Sequence, residues 1–225
     1  MIMKKAGISK VSRILKSEYE NRYAPVTELV KTRGSDPFKI LVATILSSRT
    51  KDQTTSIASQ RLFRVVKNPS DLRRISRKKL ERLIFPVGFF RVKAKHLKQM
   101  PAVLAKEFGG KIPDTIEGLC KLPGVGRKTA NLVVAVAFNK PAVCVDVHVH
   151  RISNRLGLVK TMTPLETEMA LRRILPVRYW KTWNSYLVSY GQMVCMPTNP
   201  KCSMCAICRF CRRVGVKKPK CESET

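Results

Sequence analysis

Four cysteines in one short run, Cys195-x6-Cys202-x2-Cys205-x5-Cys211, limit what this chain can fold into more tightly than any other feature. Of its eight cysteines, six lie between positions 195 and 221, while Cys120 and Cys144 stand alone. A disulfide framework would suit a small secreted chain. The N-terminal stretch does not: it is basic (Lys4, Lys5, Lys10), interrupted by polar residues up to Glu18, and followed by no secretory apolar region. We therefore expect an intracellular protein, whose clustered thiols serve a metal centre. Thiolates are soft ligands, and four of them suit zinc or an iron-sulfur cluster. Only Cys202 and Cys205 form a Cys-x2-Cys pair, where a structural zinc more often shows two, so the spacing leans to iron-sulfur and leaves zinc open. Cys208 and Cys221 are set aside as non-ligands, because the run through Cys211 already supplies four sulfurs.

The rest of the chain reads as helix. Apolar residues recur near a 3.6-residue period from end to end, and alternating strand-like stretches are few and short. Helices are expected near Val11 to Tyr19, Phe38 to Leu46, Gln53 to Val66, Asp71 to Phe85 and Val92 to Phe108. Further helices are expected near Thr115 to Lys121, Arg127 to Phe138, Val147 to Leu156, Leu165 to Leu175 and Lys181 to Val194. Asn139-Lys140-Pro141 breaks a long apolar helix, and the tail from Arg212 to Lys220 reads as a frayed basic terminus. Apolar runs such as Leu132 to Phe138 are far short of a membrane span, so no membrane partner is expected. The partner is suggested by charge. Forty-four Lys and Arg against 15 Asp and Glu leave a net charge of +29, far beyond what solubility needs and suited to nucleic acid, although a solvated basic surface or a membrane-surface protein would carry the same charge.

Between two helical stretches lies Leu122-Pro123-Gly124-Val125-Gly126-Arg127-Lys128, with the composition of a tight glycine hairpin. Gly124 and Gly126 permit positive φ and close backbone approach, so the turn can aim N–H groups at a phosphate while the next helix adds its positive end. An ordinary helix connection would use the same glycines. Lys128 falls in the first turn of that helix, where the dipole disfavours a cation and favours a neutral, nucleophilic amine. Asp146, eighteen residues on and just before the helix starting near Val147, reads by itself as an N-cap.

The strings LPGVGRKTANLVVAVAF and VDVHVHRISNRLGL, followed by the x6-x2-x5 cysteine spacing, closely resemble the helix-hairpin-helix DNA glycosylases of the endonuclease III type. The resemblance runs from about Phe38 to Cys211, with all three motifs in order. It implies an all-α fold of two helical domains with DNA in the cleft between them: a six-helix barrel over residues 30–140, and a cluster domain joining 1–29 to 141–225. It implies a [4Fe-4S] cluster on Cys195, Cys202, Cys205 and Cys211, Lys128 as nucleophile and Asp146 as its partner. It also implies DNA contacts by Gly124, Val125, Gly126 and Arg127. The partner would be double-stranded DNA holding a damaged base or abasic site, met by a monomer, cytoplasmic in a prokaryote or nuclear in a eukaryote.

Two positions qualify the match. Arg49, in Leu46-Ser47-Ser48-Arg49-Thr50-Lys51-Asp52, stands where these enzymes often carry a glutamine that fills the space of the flipped base, and arginine can only donate hydrogen bonds. Phe89, in Gly88-Phe89-Phe90, aligns with the residue pushed into the duplex, although a buried core aromatic reads equally well from sequence. Two rivals remain: a monofunctional mismatch glycosylase of the same superfamily, in which another residue would replace Lys128, and a non-catalytic iron-sulfur DNA-binding protein.

Overall fold

Side chains that cap helix starts punctuate this chain throughout. In the computed structural model, which describes residues 5–21, 36–217 and 221, the helices are α1 (Lys5–Asn21), α2 (Pro37–Ser47), α3 (Asp52–Val65), α4 (Pro69–Arg74), α5 (Arg77–Ile84) and α6 (Phe90–Phe108). They continue with α7 (Ile116–Cys120), α8 (Arg127–Ala137), α9 (Val147–Arg155), α10 (Pro164–Ile174) and α11 (Trp180–Met193). No strand occurs among the described residues, and the fold is all-helical as expected. No helix among them is long and apolar enough to cross a membrane.

One expected helix is two. The stretch from Asp71 to Phe85 breaks at Ile75, because the Ser76 hydroxyl accepts from the Lys79 N–H and starts a new helix. Upstream, Asn68 and Asp71 form a reciprocal capping box, with Pro69 opening α4. Pro101 sits buried inside α6 without ending it.

The chain divides into two compact units, Pro25–Lys140 in one and Met1–Ala24 with Pro141–Thr225 in the other. The expected boundary near residue 30 lies outside the described residues. In the first unit α2 is apolar on nearly every side and packs on α3, α6 and α8, burying Leu41, Val42 and Leu46 completely. Such a helix can only be central. In the second unit, Ile8, Val11 and Leu15 recur at helical spacing on α1 and join a core built on Trp183, Leu187 and Tyr190 of α11. Val149, Ile152 and Leu156 bring α9 into that core, which fixes the direction in which its N-terminal end points.

Candidate active site

The hairpin is built as its glycines suggest. Beyond α7 the chain closes through Leu122 N–H to Leu119 O (3.0 Å) and Val125 N–H to Leu122 O (3.1 Å). Leu122 and Val125 are buried and anchor the turn from within. Gly124 has φ +78°, and a Cβ there would lie 2.6 Å from His96 Nδ1, so both conformation and space demand glycine. Gly126 differs. Its φ of −89° and ψ of 170° suit any residue, and a Cβ there would meet nothing within 4 Å. It is the N-cap of α8 and supplies no side-chain cap to that helix end. Arg127 and the exposed Lys128 follow as the first two residues of α8, so Lys128 stands in the first turn.

Arg49 and Phe89 come together although forty residues separate them. The Arg49 guanidinium lies 5.6 Å from the Phe89 ring centroid, a cation–π contact. Phe89 is 61% exposed and begins α6 from a left-handed conformation, which settles the choice against a core aromatic.

Asp146 belongs to the other unit, at the head of α9. Its Oδ1 accepts from the N–H groups of His148 and Val149, each at 2.9 Å, so it is the N-cap its position suggested. Asn184 on α11 donates to the Cys144 carbonyl at 3.2 Å and steadies the approach to that cap.

The same helix grips the cysteine segment through a pair of arginines at i, i+4 that sequence reading missed. Arg151 donates to the Cys195 carbonyl (2.8 Å from Nη2) and to Gly191 O (3.0 Å). Arg155 donates to Met196 O and Pro197 O, both at 2.7 Å, and to Cys195 Sγ at 3.4 Å. Asp146 and the cysteine loop are therefore fixed to one rigid element. The spacing was visible, but partners forty residues away were not.

All four candidate ligands, Cys195, Cys202, Cys205 and Cys211, line one small pocket. Burial pushes the Cys211 thiol up to about 11, and the neighbouring sulfurs of Cys205, Cys195 and Cys202 push in the same direction. Burial first, then neighbouring cysteines, also raise Cys202 and Cys205. Thiols that oppose one another's ionisation in this way suit a shared cationic centre. Donors surround the sulfurs: Tyr190 OH to Cys205 (3.3 Å), the Arg213 N–H to Cys211 (3.4 Å) and Arg155 to Cys195. Hydrogen bonds of this kind tune cluster sulfurs, so the residues fit a four-sulfur cluster. Among the described residues, no three His, Cys, Asp or Glu side chains are arranged to hold a metal ion. Cys208 and Cys221 are joined to each other by a disulfide.

These features meet in one class of protein. Residues 42–177 match the sequence profile of the HhH-GPD superfamily base excision DNA repair proteins, and the chain belongs to that superfamily. It is 48% identical to endonuclease III of Thermotoga maritima over 179 residues, spanning 80% of this chain and 84% of that one. It is 41% identical to endonuclease III-like protein 1 of Gallus gallus, with 85% and 72% covered. Its fold superposes with a TM-score of 0.81 on an endonuclease III trapped as a covalent intermediate with DNA, 31% identical, with 94% and 97% covered. A thermostable thymine-DNA glycosylase follows at 0.76 and 26% identity, with 92% and 94% covered. Within the superfamily the chain is of the endonuclease III type, a base-excision repair DNA glycosylase.

Proposed function

We propose that the chain removes damaged, chiefly oxidised, pyrimidines by attack of Lys128 and then cuts the strand through a Schiff base on the same residue. The observation that carries this reading is the hairpin. It ends in a glycine that neither backbone nor packing requires, opens a helix without a side-chain cap, and leads within two residues to an exposed lysine. A phosphate held by Gly124 to Arg127 would set the backbone of the target strand beside Lys128.

The chemistry follows from what an amine can reach. C1′ of a stacked nucleotide is shielded, so the damaged nucleotide is first extruded. Phe89 and Arg49 enter the space it leaves, Phe89 as an apolar wedge and Arg49 as a donor to the unpaired base. The Lys128 amine then attacks C1′, and the bond to the base breaks with its electron pair leaving on the base, which takes up a proton. Asp146 accepts the proton shed by the amine and stabilises the positive charge developing on the sugar. The sugar ring then opens: the C1′–O4′ bond breaks, O4′ takes up a proton, and C1′ and the lysine nitrogen form a Schiff base that acidifies C2′–H; loss of that proton expels the 3′ phosphate by β-elimination, and water releases Lys128.

Cys195, Cys202, Cys205 and Cys211 would hold a [4Fe-4S] cluster, which would cross-link the seventeen-residue segment from Cys195 to Cys211. Arg151 and Arg155 would carry that rigidity to Asp146 through α9. The protein acts as a monomer on damaged duplex DNA inside the cell. Incubation with an abasic-site duplex tests the reading: strand cleavage is expected, while binding without cleavage would favour a monofunctional or non-catalytic relative. Asp146→Asn should keep the amine but slow its reaction by a factor on the order of 10² to 10⁴; an unchanged rate would remove Asp146 from the proton transfer.

A further inference from the structure

The loop after α2 and the turn before α6 are tied together by one buried lysine. Lys93, in the first turn of α6, is 5% exposed. Its Nζ donates to Leu46 O at 2.8 Å, Ser48 O at 2.5 Å and Thr50 Oγ1 at 3.2 Å. The two carbonyls belong to the end of α2, where the helix leaves its own acceptors without partners and its dipole favours a cation. The Lys93 backbone N–H donates to Phe89 O at 3.0 Å. A single residue thus holds Leu46 to Thr50 with its side chain and Phe89 with its main chain.

The two segments are fitted to each other elsewhere too. Thr50 Oγ1 also accepts from the Gly88 N–H at 3.1 Å. A Cβ on Gly88 would run into the carbonyl oxygen of Arg49, so only glycine permits this approach. At the tip stand Arg49 and Phe89, with φ of 51° and 56°, a conformation that side-chain-bearing residues avoid and that surrounding contacts must sustain. Burial pushes the Lys93 ammonium down to about 8. An apolar side chain of similar volume would escape that desolvation, but would leave the loop carbonyls without their donor.

We propose that Lys93 is a positioning residue: it holds Arg49 and Phe89 as one preorganised tip that enters the duplex where the nucleotide is extruded. Ordering the tip in advance spares that entropic cost during binding. The inference rests on the glycosylase and lyase reading above, and the test separates the two. Wild type, Lys93→Met, the double variant Arg49→Ala/Phe89→Ala and the triple variant are assayed on a lesion duplex and on a single-stranded abasic oligonucleotide. Folding is checked by circular dichroism. Lys93→Met should raise KM for the duplex about tenfold, change kcat less than about twofold, and leave cleavage of the single strand unaltered. Added to the double variant, it should cause no further loss. Equal losses on both substrates, additive losses in the triple variant, or an unchanged duplex KM would overturn the proposal. Should Lys93→Met not fold, Thr50→Val removes one shared acceptor and should give the same pattern at about threefold; a normal duplex KM in that variant would count against the proposal. Wild-type inactivity on both substrates would instead overturn the glycosylase and lyase reading, and the inference with it.

Discussion

Replacing Gly126 by valine should leave the fold intact and weaken DNA binding, whereas replacing Gly124 by alanine two residues earlier should damage the fold. At Gly124 an added Cβ must accept φ +78°, at a cost of about 1–2 kcal/mol. It must also push back a His96 ring whose nearest atom lies 2.6 Å away, at a further cost of about 1–3 kcal/mol. A loss of about 2–5 kcal/mol lowers Tm by roughly 4–20 °C for a chain of this size. At Gly126 the backbone is extended and the space open, so the change should fall within about 0.5 kcal/mol. The isopropyl group would instead hold a phosphate away from the hairpin N–H groups. Losing one charge-assisted hydrogen bond costs about 1.5–3 kcal/mol, or roughly ten- to 150-fold in affinity. The assay pairs thermal unfolding with anisotropy titration of duplexes carrying an uncleavable abasic analogue, in several sequence contexts. Phosphate contacts carry no sequence information, so the loss should be uniform. Gly126→Val with affinity within twofold of wild type, or with a Tm drop matching that of Gly124→Ala, would refute the reasoning.

Three further outcomes are expected. Protein prepared anaerobically should be brown and contain iron and sulfide, and Cys202→Ser should destabilise the unit that holds α9; one equivalent of zinc with no iron would reassign the site. DNA affinity should fall steeply with salt, each neutralised phosphate adding about one unit to the log–log slope, since the net charge is +29; a flat response would mean the charge serves something else. Lys93 has a folded-state value of about 8, below its ordinary 10.5. From about pH 8 to 10.5 the unfolded state therefore binds more protons at this residue than the folded state, and its contribution to stability rises with pH. Wild type should gain stability relative to Lys93→Met over that window in paired denaturant titrations, and a constant difference would contradict the burial argument.

Much of the site was legible because its signals are local. The hairpin shows itself by two glycines with one residue between them, the cap by an aspartate before an apolar helix, and the cysteine run carries its own spacing. The division of α4 from α5 was missed because Leu72 with Ile75 and Leu80 with Ile84 each keep helical spacing on their own side of the break, and the five-residue step between the pairs and the Ser76 cap are weaker signals than that periodicity. Phe89 was ambiguous for a different reason. Nothing in Gly88-Phe89-Phe90 tells which ring is buried, and only the left-handed start of α6 turns Phe89 outward to 61% exposure. Lys93, Arg151 and Arg155 looked like surface cations among many. Their acceptors are main-chain carbonyls roughly forty residues away, and carbonyls are the same in every sequence.

The central claim, that Lys128 is the nucleophile, is tested most directly by reduction of the reaction intermediate. Borohydride added during turnover on an abasic-site duplex should convert the Schiff base into a stable covalent protein–DNA adduct, and peptide mapping should find it on Lys128. Lys128→Gln should form no adduct while still binding the duplex, because the change removes the amine and leaves the hairpin and α8 in place. An adduct formed undiminished by Lys128→Gln, or mapped to another lysine in the wild type, would contradict the account.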